Sequence, residues 1–322
     1  MSETVARERV LEAAAGILSA LDQSVLGQRT AAEALVCAYM AGGHALLEGV
    51  PGVGKTLLAR SFAACLGLRF ARVQFTPDLM PTDVVGMNVM DGASKTFRLV
   101  RGPVFTQVLM ADEINRTPPK TQAALLEAMQ ERQVTIDGQS HPLEPEFFVM
   151  ATENPVEFEG TYPLPEAQLD RFLLRIEMRL PDEAAEIEVY RRAAAGELGG
   201  WSDAPPPTRL VSDAEARALR AASRQVHMAP ELLPYLARLA AHVRRSPHVD
   251  LGVSPRGGLC LLETARAAAL VAGRDFVLPD DIKRFLLPCW GHRIVLGPES
   301  ELEGQTVARV LEDAAAAVEV PR

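Results

Sequence analysis

Residues 49–56 read Gly49-Val50-Pro51-Gly52-Val53-Gly54-Lys55-Thr56, which matches the pattern G-x-x-x-x-G-K-[ST]. A short apolar run at residues 44–48 precedes this stretch and a helical pattern at residues 55–66 follows it, as the pattern requires. Its glycines allow backbone N–H groups to surround phosphate oxygens, and the positive end of the following helix adds to the attraction. We expect Lys55 to reach the β- and γ-phosphates and the Thr56 hydroxyl to bind Mg²⁺. The stretch therefore predicts a nucleoside triphosphate site.

Helices and strands alternate around this loop. Strands that alternate with helices imply a parallel sheet covered on both faces. Two segments break the alternation and are predicted to be β-hairpin insertions, residues 85–103 and residues 132–143, the second with an Asp137-Gly138 turn signal. Further helices are predicted at residues 5–21, 28–41 and 118–131, and further strands at residues 69–75, 104–111, 147–152 and 172–180.

A stretch rich in Gly and Pro at residues 197–208 is the expected linker between two domains. Residues 1–196 form the predicted core and residues 209–322 a helical domain. The predicted fold class is α/β: a P-loop core whose parallel sheet is covered by helices, with two β-hairpin insertions, followed by a small all-α lid domain. The helices of the lid are expected at residues 212–225, 229–246, 254–272, 279–288 and 300–318.

Composition excludes several classes of protein. The chain has 322 residues and a net charge of −9, which argues against binding to duplex nucleic acid, because such proteins usually carry a basic footprint. There is no run of 18 apolar residues and no signal peptide pattern, so we expect a cytoplasmic protein without a membrane span. The four cysteines are expected to be buried, unreactive thiols: Cys37, Cys65, Cys260 and Cys289.

An apolar strand that ends in Asp112-Glu113 supplies the second chemical element. Alone it is a weak signal, since buried strands often end in an acidic residue. Behind a phosphate-binding loop, Asp112 is expected to hold the Mg²⁺ shell and Glu113 to orient and deprotonate the attacking water. This pairing favours hydrolysis of ATP over transfer to a small acceptor.

Three further polar residues fit a hydrolytic site. Asn154 follows the strand at residues 147–152, where it could hold the lytic water or simply form an Asn-Pro turn. Arg171 lies between a helix and a strand, either as a charge on a solvated face or as an arginine finger. Arg256 lies at the start of a predicted helix of the lid, where it could contact the γ-phosphate and transmit the loss of this phosphate to the lid.

The order of these residues resembles that of AAA+ ATPases, and longer stretches resemble the MoxR family. This resemblance covers about residues 25–295 and is carried by FTPDLMPTD at 75–83, DEINR at 112–116, LLEAMQERQVT at 125–135 and GTYPLPEAQLDRF at 160–172. It implies membership of the helix-2-insert branch of AAA+, which includes magnesium-chelatase motor subunits. One departure is Gly257-Gly258 after Arg256, where a stiffer helix start is expected.

The resemblance implies a hexameric ring with both hairpin insertions on its pore side. Arg171 would then act on the neighbour's ATP, and residues 25–28 would lie by the adenine. It also implies a chaperone-like motor that remodels or matures a protein client with a separate von Willebrand factor A domain partner. The alternatives are a nucleic-acid motor and a nucleotide-dependent scaffold with low turnover. The expected site residues are Glu113, Asn154, Arg171 and Arg256 for catalysis, Thr56 and Asp112 for Mg²⁺, and Leu26, Gly27, Gly49, Val50, Pro51, Gly52, Val53, Gly54, Lys55, Thr56 and Leu57 for ATP.

Overall fold

The structure is a computed structural model that describes residues 3–92, 95–154, 160–197 and 207–321. Most of the expected linker, residues 198–206, lies outside the described residues, and so does Pro155, which follows Asn154.

The N-terminal part of the chain alternates helices and strands as predicted. Its elements are α1 (Glu3–Ser24), α2 (Arg29–Met40), β1 (Ala45–Glu48), α3 (Lys55–Leu66), β2 (Phe70–Gln74), α4 (Pro81–Val85), β3 (Gly86–Met90), β4 (Phe97–Arg101), β5 (Val108–Asp112), α5 (Pro119–Glu131), β6 (Gln133–Ile136), β7 (Gln139–Pro142), β8 (Phe148–Glu153), α6 (Glu166–Leu169), β9 (Leu174–Glu177) and α7 (Glu183–Ala194), with a 3₁₀ turn at Ile114–Arg116.

Five strands form one parallel sheet in the order β2-β5-β8-β1-β9. Successive side chains of a strand point to opposite faces, and both faces are apolar here. Leu47 and Phe148 pack with α1, α2 and α3 on one face, whereas Leu46 and Val149 pack with α5 on the other. The sheet is therefore buried on both sides, as the alternation of elements predicts.

Both predicted hairpins are present. β3 pairs with β4, and β6 pairs with β7 across Asp137-Gly138, whose positive φ values of 48° and 79° suit a two-residue hairpin turn. Asn88 donates a 2.9 Å hydrogen bond to Asp137 and so ties the two hairpins together. The two insertions consequently contact each other.

The C-terminal part is helical and packs directly on the core. Its α10 lies against α2, its α8 against α1 and its α12 against β9, so that Trp290 belongs to the same apolar cluster as Leu47. Its elements are α8 (Asp213–Gln225), α9 (Leu232–Arg245), β10 (Val249–Leu251), α10 (Pro255–Val271), α11 (Pro279–Arg284), α12 (Leu286–Trp290), β11 (Val295–Leu296), α13 (Pro298–Leu302) and α14 (Val307–Ala317), with a 3₁₀ turn at Gly291–Arg293.

Several boundaries differ from the sequence prediction. The expected helix at 300–318 is two helices, because Gly304 has a left-handed φ of 78° and Thr306 caps α14 by accepting from the N–H of Arg309. The helical lid also contains a short antiparallel ladder of β10 and β11 that was not predicted. The strand expected at 104–111 begins only at Val108, because the backbone of Phe105 bonds back to Gly102 in a turn.

The helix α7 was not predicted, and the strand expected at 172–180 is shorter, running from Leu174 to Glu177. None of the residues of α7 is buried, and its larger apolar side chains, Ile187 and Tyr190, are exposed. Its start is set locally by Asp182, which accepts a 2.8 Å hydrogen bond from the N–H of Ala185.

Three of the four cysteines are buried as the sequence predicts, and Cys260 is not. All four are free thiols; Cys260 is half-buried and the other three are buried. Burial raises the pKa of Cys37 to about 12 and that of Cys65 to about 11, so both stay protonated and unreactive at neutral pH. Among the described residues, no helix is long and apolar enough to cross a membrane.

Phe148 offers a test of the packing between α2, α3 and the sheet. Its ring is fully buried, with centroids 5.6 Å from Tyr39 and 5.7 Å from Phe62. Because a cavity would remain, Phe148→Ala is expected to cost about 3–5 kcal/mol of folding free energy. The thermal unfolding midpoint should fall by several degrees, while Phe97→Ala, at a ring that is 72% exposed, should leave it unchanged. An unchanged midpoint in Phe148→Ala would contradict this packing.

Candidate functional site

The loop at residues 49–54 joins β1 to α3 in a conformation that suits phosphate. Gly52 and Gly54 have φ values of 86° and 91°, a left-handed region that favours glycine. Lys55 is the first residue of α3, and its Nζ donates to the carbonyl oxygens of Gly49 and, at 3.4 Å, of Val50. The ammonium group thus lies at the loop, beside the N–H groups that open the helix.

Asp112 is held by a network at the end of β5. The side chain is nearly buried, its Oδ2 accepts from Arg72 Nε at 3.0 Å, and its Oδ1 accepts from the Thr152 hydroxyl at 2.6 Å. The Thr152 hydroxyl in turn accepts a 2.8 Å hydrogen bond from the N–H of Glu113. Thr152 therefore fixes the Asp112 carboxylate and the backbone of Glu113 together.

Glu113 has a left-handed backbone, with φ of 56°, which is uncommon for a residue with a side chain. Its carboxylate accepts hydrogen bonds from Gln74 Nε2 at 2.6 Å and from Arg116 Nη1 at 3.1 Å. This geometry turns the carboxylate toward the end of β2 and keeps it partly exposed. Backbone strain of this kind is typical of functional sites.

Asn154 and the segment before α2 complete this edge of the sheet. Asn154 is buried and directly follows β8, whose last residue pairs in register with Glu48 of β1. Gly27 has a left-handed φ of 73°, and a Cβ on Gly54 would lie 3.0 Å from Val25. The segment that holds Leu26 and Gly27 is therefore beside the loop. The structure brings the loop, Asp112, Glu113, Asn154 and this segment to the carboxyl ends of the strands.

Arg171 and Arg256 lie at the opposite edge of the sheet. Both line one cavity of about 320 Å³, together with residues 41–44, which precede β1. Arg171 precedes β9, whose first residue pairs in register with Ala45, the first residue of β1. Because β1 spans four residues, this edge is about 10–13 Å from the start of the loop. Neither arginine meets the loop of its own chain.

A second cluster of charges lies beside the loop, where β1, β8 and β9 end. Arg175 forms a two-pronged ion pair with Glu48, with both hydrogen bonds at 2.6 Å. Glu48 pairs in register with Glu153 on one side and with Glu177 on the other. Burial, followed by the charge of Glu48, raises the pKa of Glu153 to about 7, and Arg175 opposes this effect. Glu153 is thus a carboxyl group that titrates near neutral pH.

The chain is similar to known proteins over nearly its whole length. A profile of the ATPase family associated with various cellular activities (AAA) matches residues 44–174, and an AAA lid domain profile matches residues 241–314. The Chaperone MoxR1 of Mycobacterium tuberculosis is 41% identical, covering 84% of this chain and 73% of the relative. The uncharacterized protein YeaC of Bacillus subtilis is 42% identical over 94% and 92% of the two chains.

Two further relatives agree. The Protein MoxR of Paracoccus denitrificans is 33% identical, covering 94% of this chain and 95% of the relative. The crystal structure of a candidate ATPase from Cytophaga hutchinsonii is 35% identical, with a TM-score of 0.89 over 99% and 98% of the two chains. This chain belongs to the MoxR family of AAA+ ATPases. The predicted resemblance and fold class are confirmed.

The MoxR-family chain has the donors that Mg²⁺ with ATP requires at the carboxyl edge. Mg²⁺ is usually bound through one or two oxygen ligands of the protein, the substrate phosphates and waters. Asp112 and Thr56 supply such oxygens. No group of three or more His, Cys, Asp or Glu side chains that could hold a metal is present in the described ranges. The oxygens of Asp112 and Thr56 therefore fit Mg²⁺ that is bound together with the phosphates of a nucleotide.

Sequence reasoning missed Arg72, Gln74 and Thr152 at this site. Each contacts a predicted residue, Asp112 or Glu113, across neighbouring strands. In the sequence these side chains show only as polar residues near the ends of β2 and β8. The parallel register puts them opposite the Asp-Glu pair, and strand order is not readable from local patterns.

Glu153 gives a pH dependence with a definite sign. Its folded pKa of about 7 exceeds the ordinary value of 4.5, so its contribution to stability is full below pH 4.5 and is lost as pH rises through 7. Glu153→Gln is expected to raise the free energy of unfolding at pH 8 by up to about 3 kcal/mol and to change it little at pH 5. Unfolding midpoints at both pH values measure this difference.

Glu177→Gln is the matched control on the neighbouring strand. The hydrogen bond from Arg179 lowers the pKa of Glu177, so its charged form favours folding. That variant should be no more stable than the parent at pH 8. Equal unfolding midpoints for Glu153→Gln and the parent at pH 8 would show that Glu153 is not protonated near neutrality.

Proposed function

We propose that this chain hydrolyses Mg²⁺-bound ATP in a ring of copies, with each site completed by the neighbouring copy. The observation that carries this proposal is the division of the candidate residues between the two edges of the sheet. The loop, Asp112 and Glu113 lie at one edge, and Arg171 and Arg256 share a cavity at the other. Because the two sets lie at opposite edges of the sheet, this division supports a site in which a second copy supplies the arginines.

The residues of the carboxyl edge have distinct tasks in this proposal. The N–H groups of the loop and Lys55 bind the phosphates, while Thr56 and Asp112 would hold Mg²⁺, which neutralises charge on the phosphate oxygens. Glu113 takes a proton from the attacking water, which Asn154 helps to orient. Gln74 and Arg116 both donate to Oε2 of the Glu113 carboxylate, so Oε1 is the oxygen that would take the proton.

The arginines of the neighbour act on charge that develops in the transition state. An arginine supplied by another subunit typically contributes 10³–10⁵ in rate, or about 4–7 kcal/mol of the barrier. Arg171 and Arg256 line one cavity, which supports the same role for both, and in this proposal Arg256 acts on the neighbour's nucleotide and not on its own.

We favour a protein as the client on which this ATPase acts. The relative in Mycobacterium tuberculosis is named a chaperone. The hairpin of β3 and β4 exposes large apolar side chains, as a surface that grips polypeptide would: Met87, Val89, Met90, Phe97 and Val100. With the family resemblance, this supports a cytoplasmic, hexameric, chaperone-like motor that works with a separate von Willebrand factor A domain partner.

Substitutions in the loop and at the base separate binding from chemistry. Lys55→Ala is expected to abolish ATP binding, because the phosphates lose their cation. Glu113→Gln is expected to bind ATP with nearly unchanged affinity and to lose at least about 100-fold in kcat, because the amide cannot accept a proton. Fluorescent nucleotide binding and phosphate release measure the two effects. A near-normal rate in Glu113→Gln would place the base elsewhere.

Mixing inactive variants tests the shared site. Arg171→Ala and Arg256→Ala should each bind ATP and turn over slowly when alone. Either one mixed with Glu113→Gln should regain turnover, because some interfaces then combine an intact base with intact arginines. Mixtures of Arg171→Ala with Arg256→Ala provide interfaces with only one arginine and should stay inactive. If Arg256→Ala is not rescued by Glu113→Gln whereas Arg171→Ala is, Arg256 acts on its own nucleotide.

The client is best identified with Glu113→Gln. Because this variant should not hydrolyse ATP, it should remain an ATP-bound ring with the client attached. A photo-crosslinking residue at Phe97 is expected to label polypeptide, and Phe97→Ser should weaken capture without lowering the basal ATPase rate. A salt-sensitive rise in ATPase rate with added DNA, together with crosslinks to nucleic acid, would favour a nucleic-acid motor.

A further inference from the structure

Arg293 lies in the 3₁₀ turn between α12 and β11, and its side chain is only 3% exposed. Its guanidinium reaches out of the lid into the segment that precedes β9. It donates to Asp170 Oδ1 at 2.7 Å, to the Phe172 carbonyl at 2.6 Å and to the Leu173 carbonyl at 3.2 Å. A fourth hydrogen bond of 3.2 Å goes to the carbonyl of Asp170. One lid side chain thus binds the backbone or side chain of three core residues on the two sides of Arg171: Asp170, Phe172 and Leu173.

Arg171 is positioned by the residues next to it in the chain. Its N–H donates to the Gln168 carbonyl at 3.1 Å, and its guanidinium has no hydrogen-bond partner in the part of the chain that the structure describes. Arg293 contacts the residues on both sides of it, Asp170 and Phe172. The direction in which Arg171 projects is therefore set largely by the contacts of Arg293.

The first turn of α10 is joined to the same group. A Cβ on Gly257 would lie 2.7 Å from Val253 and 3.1 Å from Arg293 Cδ, so a side chain at this position would displace Val253 and crowd Arg293. The Trp290 indole donates to the Gly257 carbonyl at 2.9 Å. The glycine after Arg256, unexpected in the sequence, is explained by this close approach. Arg256 Nε lies 3.8 Å from Asp170 Oδ2, on the other oxygen of the carboxylate that Arg293 binds.

His292 packs in this junction as an uncharged ring. Its Nε2 lies 3.0 Å from the Phe172 carbonyl, and burial together with the neighbouring Arg293 lowers its pKa to about 3. The ring is therefore neutral at physiological pH. The positive charge that faces Asp170 in this buried junction comes from Arg293, with Arg256 at its exposed rim.

We propose that Arg293 is a positioning residue that holds Arg171 and Arg256 in one orientation toward the neighbour's nucleotide. The planar guanidinium group of Arg293 can donate hydrogen bonds to a carboxylate and to several carbonyls at once, which the single ammonium group of a lysine cannot do. The proposal rests on the proposed function, since it assigns Arg293 to the arginines that the neighbour's site receives. Arg293 itself touches no substrate.

The test is Arg293→Lys, which keeps the charge and removes the planar guanidinium group. ATP affinity and KM should stay within about twofold, because the loop is at the other edge of the sheet. The kcat should fall by about 10–100-fold, as expected when a catalytic group is misplaced by about 1 Å. Arg274→Lys is the matched control, because Arg274 forms a similar two-pronged pair with Asp281 inside the lid, at 2.8 and 2.6 Å, away from Arg171. It should keep the parent kcat.

Mixing separates positioning from a general loss of structure. Arg293→Lys mixed with Glu113→Gln should regain turnover, because the neighbour then supplies well-placed arginines to an intact base. Arg293→Lys mixed with Arg171→Ala should not. Asp170→Asn is the second variant, at a half-exposed side chain, and it should repeat the fall in kcat and the rescue even if Arg293→Lys folds poorly in thermal unfolding and ADP binding.

Two results would overturn the proposal and leave the shared site intact. One is a parent-like kcat in folded Arg293→Lys or Asp170→Asn. The other is a failure of both variants to be rescued by Glu113→Gln under conditions where Arg171→Ala is rescued. If Arg171→Ala is also not rescued, or is fully active alone, the shared site of the proposed function is wrong instead.

Discussion

All five strands of the central sheet run in the same direction, so their carboxyl ends share one edge and their amino ends the other. Groups that follow strands, such as the loop after β1 and Glu113 after β5, meet at the first edge. Arg171, which precedes β9, lies at the second. The length of β1 alone keeps the two edges about 10–13 Å apart. This separation of the two sets is the reason for proposing a site built from two copies.

The carboxyl edge is rich in acidic groups, although it is expected to bind a triphosphate. Most of these carboxylates are paired: Asp112 with Arg72, Glu113 with Arg116 and Glu48 with Arg175. Glu153 has no such partner among the described residues, and a neutral carboxyl group at this position adds no repulsion to a bound anion. An acidic chain can accept an anionic substrate here because its local charges are offset in pairs or removed by protonation.

The parts of the fold that local chemistry dictates were predictable from the sequence. The loop at residues 49–56, the Asp112-Glu113 strand end and the Asp137-Gly138 hairpin each carry their own signal within a few residues. α7, none of whose residues is buried, was not predicted. The break at Gly304 was not predicted because it interrupts a continuous apolar pattern. Thr152 and Arg293 could not be found this way, since their partners lie 40 and 123 residues away in the chain.

The contacts of Arg293 also bear on how the lid would move. The apolar cluster of the lid is continuous with that of α1, α2 and one face of the sheet, and Arg293 fastens the lid to the segment around Arg171. These contacts join the lid and the segment around Arg171 into one packed unit. In the proposed ring, the lid and Arg171 of one copy move together against the nucleotide of the next. In that ring, loss of the γ-phosphate at one site would remove a contact of the neighbour's arginines. Because those arginines and the neighbour's lid belong to one packed unit, the loss would also change the position of that lid.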